Sequence, residues 1–260
     1  MKEFENITFS IDNGLALLTF NRPEVLNAVN ADVLTELKEA IDIVKADASV
    51  NILVLTGAGK AFVAGADIKY MSTISTLEAR AFTRYGQGII NSLVDLDIPT
   101  IAAINGFAFG AGAEITMACD IRIASEKAKF GMPEVSLGII PGYGGTQRLP
   151  KLVGDSVAKH MIFTGDPINA EEAYRIGLVS KVLPLEGFLD EVLIYARKIL
   201  ANATIAVRQA KLAVNKGWGT DVITGVAFEA EASAVAFSTE DRFEGMKAFL
   251  EKRSPEFKGK

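Results

Sequence analysis

The sequence predicts an α/β fold followed by an all-helical tail, and three observations carry that expectation. Short apolar runs of strand type alternate with segments of helical spacing up to about Pro184. Beyond Pro184 the strand-type runs stop, and helical patterns follow one another to the end of the chain. Finally, two loops of one kind, "LTGAGKAFVAGADI" and "INGFAFGAGAEI", each lead from a strand through glycine and small residues to an acid followed by isoleucine.

In chain order, "ITFSIDNGLALLTF" places Asn13-Gly14 between two β-rich runs. Both residues tolerate the positive φ of a tight turn, so this is a hairpin signal. "NADVLTELKEAIDIVKAD" offers Asn30 as an N-cap and apolar residues at Val33, Leu34, Leu37, Ile41 and Val44, which is helical spacing. "NILVLTG" is a short apolar strand, and the helix-like "TLEARAFTRYGQGIINSLVDL" follows. The strand "PTIAAING", a short helix from about Gly112 and the strand "DIRIAS" complete this part. In the tail, "EGFLDEVLIYARKIL", "TIAVRQAKLAVNKG", "DVITGVAFEAEASAVAF" and "TEDRFEGMKAFLEKR" read as successive helices, the last capped by Thr239 with two acids in its first turn.

Composition narrows the chemistry. A chain of 260 residues, 49% hydrophobic, can bury a large core without covalent staples. Cys119 is the single cysteine and His160 the single histidine, so neither an intrachain disulfide nor a His/Cys metal cage is available. The lone cysteine suits a reducing cytoplasm, and both residues read as structural. Acid–base work therefore falls to carboxylates, with no metal expected. The net charge of -5 weighs against non-specific nucleic-acid binding. The start, "MKEFENITFS", has neither the apolar run of a secretory signal nor the arginines of a transit peptide. The longest apolar stretch, Ile98 to Cys119, is interrupted by Pro99, Asn105, three glycines and Glu114 and reads as strand, loop and helix, not a membrane span.

The glycine loops are not nucleotide motifs. A dinucleotide fingerprint would require glycine where Ile115 stands, and "GAGKAF" lacks both the spacing and the hydroxyl of a phosphate loop. A glycine-flanked turn does leave free N–H donors at a helix start, and two such donors can oppose charge developing on an oxygen. Ala66 and Ala111 are the candidates. Glu114 then reads either as an acid favouring a helix start or as a catalytic acid or base. Glu134, in "FGMPEVSLGIIPGYGGTQRL", is a second glutamate set in a glycine-rich apolar stretch, which favours the catalytic reading of the pair.

The sequence resembles the enoyl-CoA hydratase, or crotonase, family along nearly its whole length. The segments that carry the resemblance are "NRPEVLNA", "FVAGADIKYM", "IAAINGFAFGAGAEITMACDIRIAS", "FGMPEVSLGIIPGYGGTQRLPKLVG", "AYRIGLVSKV" and "EGMKAFLEKR". The resemblance implies a crotonase (ClpP-like) spiral of ββα turns over residues 1–200. It implies a C-terminal helical trimerisation region over residues 201–260, with trimers or dimers of trimers as the assembly. It also implies an oxyanion hole from the N–H groups of Ala66 and Ala111, and Glu114 and Glu134 as the catalytic pair holding one water. Contacts to coenzyme A would come from Ala64, Asp67, Ile68 and Lys69, with a backbone N–H of Gly142 beside the site. Lys69 has an equally ordinary reading as a solvated lysine, and Arg22 and Lys252 are further phosphate candidates.

The implied reaction is reversible syn addition of water to a trans-2-enoyl-CoA, giving a 3-hydroxyacyl-CoA, with short acyl chains such as crotonyl expected. No cofactor is implied beyond the coenzyme A of the substrate. The alternatives are an isomerase, lyase or hydrolase on the same fold and, from another class, an RNA-binding protein. Two departures from the commoner family pattern are Ala111 within "GAG", where glycine is usual, and Met132, where many hydratases carry glutamine.

Overall fold

The structure is a computed structural model that describes residues 3–260. The chain opens with the antiparallel hairpin β1 (Ile7–Asp12) and β2 (Leu15–Phe20), closed at Asn13-Gly14 as the sequence predicts. Helix α1 (Ala31–Ala46) follows, with the Asn30 side chain accepting from the Val33 N–H. Three windings come next. The first is β3 (Ile52–Gly57), β4 (Ala61–Ala64), the short α2 (Ile68–Met71) and α3 (Thr76–Val94). The second is β5 (Thr100–Ile104), β6 (Phe107–Phe109) and α4 (Ala111–Ala118). The third is β7 (Ile121–Ser125), β8 (Lys129–Gly131), a 3-10 turn at Pro133–Leu137, α5 (Gly145–Val153) and α6 (Asp155–Thr164). Strand β9 (Ile168–Asn169), α7 (Ala170–Arg175) and β10 (Lys181–Leu183) lead to the helices α8 (Phe188–Leu200), α9 (Thr204–Gly217), α10 (Val222–Phe237) and α11 (Glu240–Leu250).

Each winding gives one strand to each of two sheets. The larger sheet has the order β1-β2-β3-β5-β7-β10, parallel from β2 onward, and the smaller has the order β4-β6-β8-β9. The fold is thus the expected spiral of ββα turns. The two similar loops of the sequence are successive windings of it, since β3 pairs with β5 and β4 with β6.

The uninterrupted apolar runs have a simple cause: the larger sheet is covered on both faces. On β3, Leu53 and Leu55 face the main core, while Ile52 and Val54 face a second core closed by Phe188, Val192 and Ala196 of α8. Those three residues recur every fourth position, one face of a helix. Helix α4 is buried all round. It lies against β4 at Gly112, where an added Cβ would stand 1.9 Å from the Val63 carbonyl oxygen.

Sequence reading missed the short strands β4, β6, β8 and β9 as separate elements, and it missed α5 to α7. Strands of two to four residues carry no periodicity, and α5 contains Pro150 within its nine residues. The short helix expected from Gly112 begins at Ala111, and the Thr239 cap forms, accepting from the Arg242 N–H at 3.1 Å.

The tail helix α9 buries no side chain completely and is held by two cations. Lys211 Nζ meets Asp120 at 2.8 Å and donates to the Ile98 carbonyl at 2.8 Å. Arg208 reaches Asp97, Asn51 and the Val50 carbonyl. Helices α10 and α11 expose large apolar side chains, among them Val222, Ile223, Phe249 and Leu250. Among the described residues, no helix is long and apolar enough to cross a membrane.

Candidate active site

The site grows from the paired ends of β4 and β6. Ala64 lies opposite Phe109 in the ladder, so the two glycine loops, Gly65-Ala66 and Gly110-Ala111, leave the smaller sheet side by side. The Gly65 carbonyl accepts the Val29 N–H at 2.9 Å, and the Asp67 N–H donates to Val29 at 2.8 Å. In such a parallel bridge the intervening residue turns its own N–H to the opposite side, so the Ala66 N–H points away from Val29. Ala111 is the first residue of α4, where the helix supplies no acceptor, and Gly110 offers no side-chain cap. Among the described residues, neither of these two N–H groups has an acceptor.

Glu114 sits one turn into α4 and is only 2% exposed. Its Oε1 accepts two backbone N–H groups, from Tyr143 at 2.7 Å and from Gly145 at 2.7 Å. Burial pushes the carboxyl up to about 7; the Gly145 N–H opposes this, the charge of Glu134 adds to it, and the Tyr143 N–H and Arg148 oppose it more weakly.

Glu134 lies in the first turn of the 3-10 segment and is half-buried. A Cβ built on Gly110 would stand 2.9 Å from Glu134 Oε1, so this carboxyl lies against the Gly110 loop, and the same Cβ would stand 3.8 Å from the Gly65 Cα of the neighbouring loop. Burial raises its pKa as well. Its Oε2 is shielded from solvent and has no hydrogen-bond partner among the described residues. A buried carboxyl oxygen without a partner is costly, and the natural occupant of such a position is water or a ligand.

The remaining candidates fall in two places. Ala64 and Ala66 are half-buried in the first glycine loop, while Ile68 and Lys69 are exposed at the start of α2. Asp67 is committed to capping that helix, its Oδ1 accepting from the Lys69 and Tyr70 N–H groups at 3.0 and 3.2 Å. Gly142 begins the turn that serves Glu114, and its carbonyl accepts from Gln87 Nε2 at 2.8 Å. Lys252 is exposed on the tail, and Arg22 donates to the Ala28 carbonyl. Cys119 is buried, its thiol directed at the Ile115 carbonyl, and His160 is exposed on α6.

Three residues of the site escaped sequence reading. Tyr143 and Gly145 supply the N–H groups that seat Glu114, and only the density of glycines in "PGYGG" hinted at a backbone binding turn. Asn27 is buried with φ 60°. Its amide Nδ2 donates toward the carbonyls of Ala58, Ala61 and Phe62 at 3.0, 2.8 and 3.2 Å, while its Oδ1 accepts the Arg22 N–H. It thereby fastens the "NRPEVLNA" segment to β4 and so to the Ala66 loop.

Comparison with known proteins identifies the family. The family profile described as enoyl-CoA hydratase/isomerase matches residues 10–260. A crotonyl-CoA hydratase of Syntrophomonas wolfei is 50% identical over 255 residues, covering 98% of each chain. A short-chain-enoyl-CoA hydratase of Clostridium acetobutylicum is 49% identical over 255 residues with the same coverage. The crystal structure of an enoyl-CoA hydratase from Bacillus anthracis superposes with a TM-score of 0.95 at 40% identity, covering 98% of this chain and all of that one. A chain built as this spiral, with this glycine-loop and carboxylate arrangement and this degree of similarity, belongs to the enoyl-CoA hydratase/isomerase family.

Proposed function

We propose that the chain is a short-chain enoyl-CoA hydratase, adding water reversibly and with syn geometry to a trans-2-enoyl-CoA, with crotonyl-CoA as the expected substrate. The observation that carries this reading is the partnerless, shielded Oε2 of Glu134, whose carboxyl lies against the Gly110 loop, one of two adjoining glycine loops with free N–H groups, and whose charge acts on the buried Glu114. The relatives named for crotonyl-CoA and short-chain enoyl-CoA hydration support the same substrate class.

In this reading the thioester oxygen accepts from the Ala66 and Ala111 N–H groups. Water lies between the two carboxyls. Glu114 takes a proton from the water as its oxygen bonds to C3, the C2–C3 π pair moves toward the thioester, and negative charge gathers on the oxygen held by the two donors. Glu134 then delivers its proton to C2 and the carbonyl re-forms. Because both carboxyls flank one face of the acyl chain, the two additions are syn. Proton exchange between the carboxyls resets the site. Losing one oxyanion donor in comparable sites costs about 10²- to 10³-fold, and each positioned carboxyl contributes about 10²- to 10⁴-fold. The Ala64–Lys69 segment, with Asp67 shaping it and Lys69 free to approach phosphate, would receive the coenzyme A, and Gly142 would border the acyl end. The chemistry needs no further cofactor.

The exposed apolar side chains of α10 and α11 support assembly as a trimer or a dimer of trimers. A cytoplasmic location without nucleic-acid partners fits the net charge of -5 and the lone cysteine. The direct test is to mix purified protein with crotonyl-CoA, follow the enoyl-thioester absorbance and identify the product by mass. A product heavier by one water supports the reading. Release of free acid and coenzyme A, or a shifted double bond without added water, overturns it in favour of a hydrolase or an isomerase.

A further inference from the structure

Glu114 is seated entirely by the turn Gly142–Gly145, and that turn is itself braced from outside the site. From α3, Gly86 makes room for the Tyr143 ring, since a Cβ there would stand 2.3 Å from Tyr143 Cε1. One residue on, Gln87 Nε2 donates to the Gly142 carbonyl at 2.8 Å. From α5, Arg148 spans the gap. Its Nη1 donates to the Tyr143 carbonyl at 2.8 Å, and its Nη2 donates to Asn91 Oδ1, again on α3, at 2.7 Å. The guanidinium passes so close under the turn that a Cβ on Gly144 would lie 2.2 Å from Nη1. Both faces of the Tyr143 peptide region are therefore committed: the N–H to Glu114 and the carbonyl to Arg148.

We infer that Arg148, oriented by Asn91, is a positioning residue for the hydration reaction: it fixes the Tyr143–Gly145 turn so that both N–H groups aim at Glu114 Oε1, and it supplies the positive charge that faces Glu114 from α5. This inference rests on the hydratase reading for its kinetic consequence but not for its structural one. The groups that act on Glu114 are the Gly145 and Tyr143 N–H groups from the turn, Glu134 from the 3-10 segment and Arg148 from α5, of which Arg148 is the cation. The guanidinium forks because two acceptors on different elements must be bridged at fixed separation, and a lysine ammonium cannot reproduce that planar geometry.

The test uses the full chain and the variants R148Q, R148K and N91A. R148Q removes both charge and fork. Its kcat for crotonyl-CoA is expected to fall by up to about 10²-fold, the scale of a misplaced catalytic group, with KM little changed. The acid limb of its kcat/KM profile is expected to move to higher pH, because Glu114 loses the cation that favours its ionised form. R148K retains the charge, so its acid limb stays near that of the parent while kcat remains low. N91A retains the charge and the fork but frees the guanidinium, giving an intermediate kcat. Carbon-13 NMR titration of labelled glutamate carboxyls, with E114Q to assign the Glu114 signal, reads the same shift without any substrate. A chain that hydrates nothing but whose Glu114 signal titrates higher in R148Q would overturn the hydratase reading while leaving the structural half of this inference, the seating of Glu114 by Arg148 through the turn, standing. An unmoved Glu114 titration in folded R148Q, or an R148K variant indistinguishable from R148Q in its pH profile, would overturn the inference itself.

Discussion

The Gly145 N–H donates to Glu114 Oε1 at 2.7 Å, and a Cβ built on Gly145 would stand 2.9 Å from that same oxygen. Proximity of the donor and absence of a side chain are one requirement. The methyl of Met132 closes the other side, 2.5 Å from the same built Cβ. The substitution G145A is therefore expected to push Glu114 off its seat and to lower kcat by about 10²-fold. Overpacking should cost a further 1–3 kcal/mol or so of stability. Steady-state hydration and thermal unfolding read the two effects, and a G145A variant at the parent's rate would contradict the seating of Glu114.

The pH dependence follows from the same burial. With Glu114 held up to about 7 and acting as the base, kcat/KM should decline as pH falls below about 7. For stability the sign runs the other way. Glu114 binds its proton more tightly folded than unfolded, so its favourable contribution is complete below its ordinary value of 4.5, fades as pH rises toward about 7, and is constant beyond. The variant E114Q keeps an oxygen to accept the Tyr143 and Gly145 N–H groups and carries no charge. It should be strongly impaired in turnover yet more stable than the parent at about pH 8, with the difference shrinking toward about pH 5. Urea unfolding at the two pH values measures this; a parent more stable than E114Q at the higher pH would contradict it.

Asn27 is a structural prediction at the edge of the site. In N27A, a buried amide that feeds three carbonyls of the β3–β4 region is lost, together with an acceptor for Arg22. Leaving those groups unpaired should cost about 2–3 kcal/mol, read as a lower urea midpoint at unchanged slope. Loss of activity should accompany it, because the Ala66 loop hangs from the same segment.

Much of this arrangement was legible in the residues, for identifiable reasons. The hairpin at Asn13-Gly14, the Asn30 cap and the apolar face of α1 are local signals, and they appear where local chemistry requires them. The likeness between the Gly65 and Gly110 loops was visible because successive windings of one spiral face the same demand, a strand end beside a helix start. The N–H donors that seat Glu114 were not legible. Backbone groups leave no trace in side-chain identity, and Tyr143 lies 29 residues from the carboxylate it serves. Asn27 was hidden for the related reason that an Asn in a Pro-containing loop looks like turn chemistry. The second sheet was faint because its strands are too short to show alternation.

Lys211 should matter out of proportion to its place on a tail helix. Its ammonium is nearly buried and joins α9 to Asp120 and to the Ile98 carbonyl, just ahead of the inner strands β7 and β5 of the larger sheet. Asp120 in turn accepts from the Thr100 N–H and hydroxyl at 2.7 and 2.9 Å. K211A is expected to cost about 2 kcal/mol and to open α9 before the spiral. Amide hydrogen exchange would show faster exchange in Thr204–Gly217 first; exchange rising uniformly through the chain would contradict the tether.

In the proposed mechanism Glu114 and Glu134 together handle one water over the Ala66 and Ala111 donors. The most direct measurement is the turnover of crotonyl-CoA to its hydrated product by E114Q and by E134Q, each first shown to be folded. Each variant is expected to lose about 10²- to 10⁴-fold in kcat. Either variant hydrating crotonyl-CoA at close to the parent's rate would contradict it.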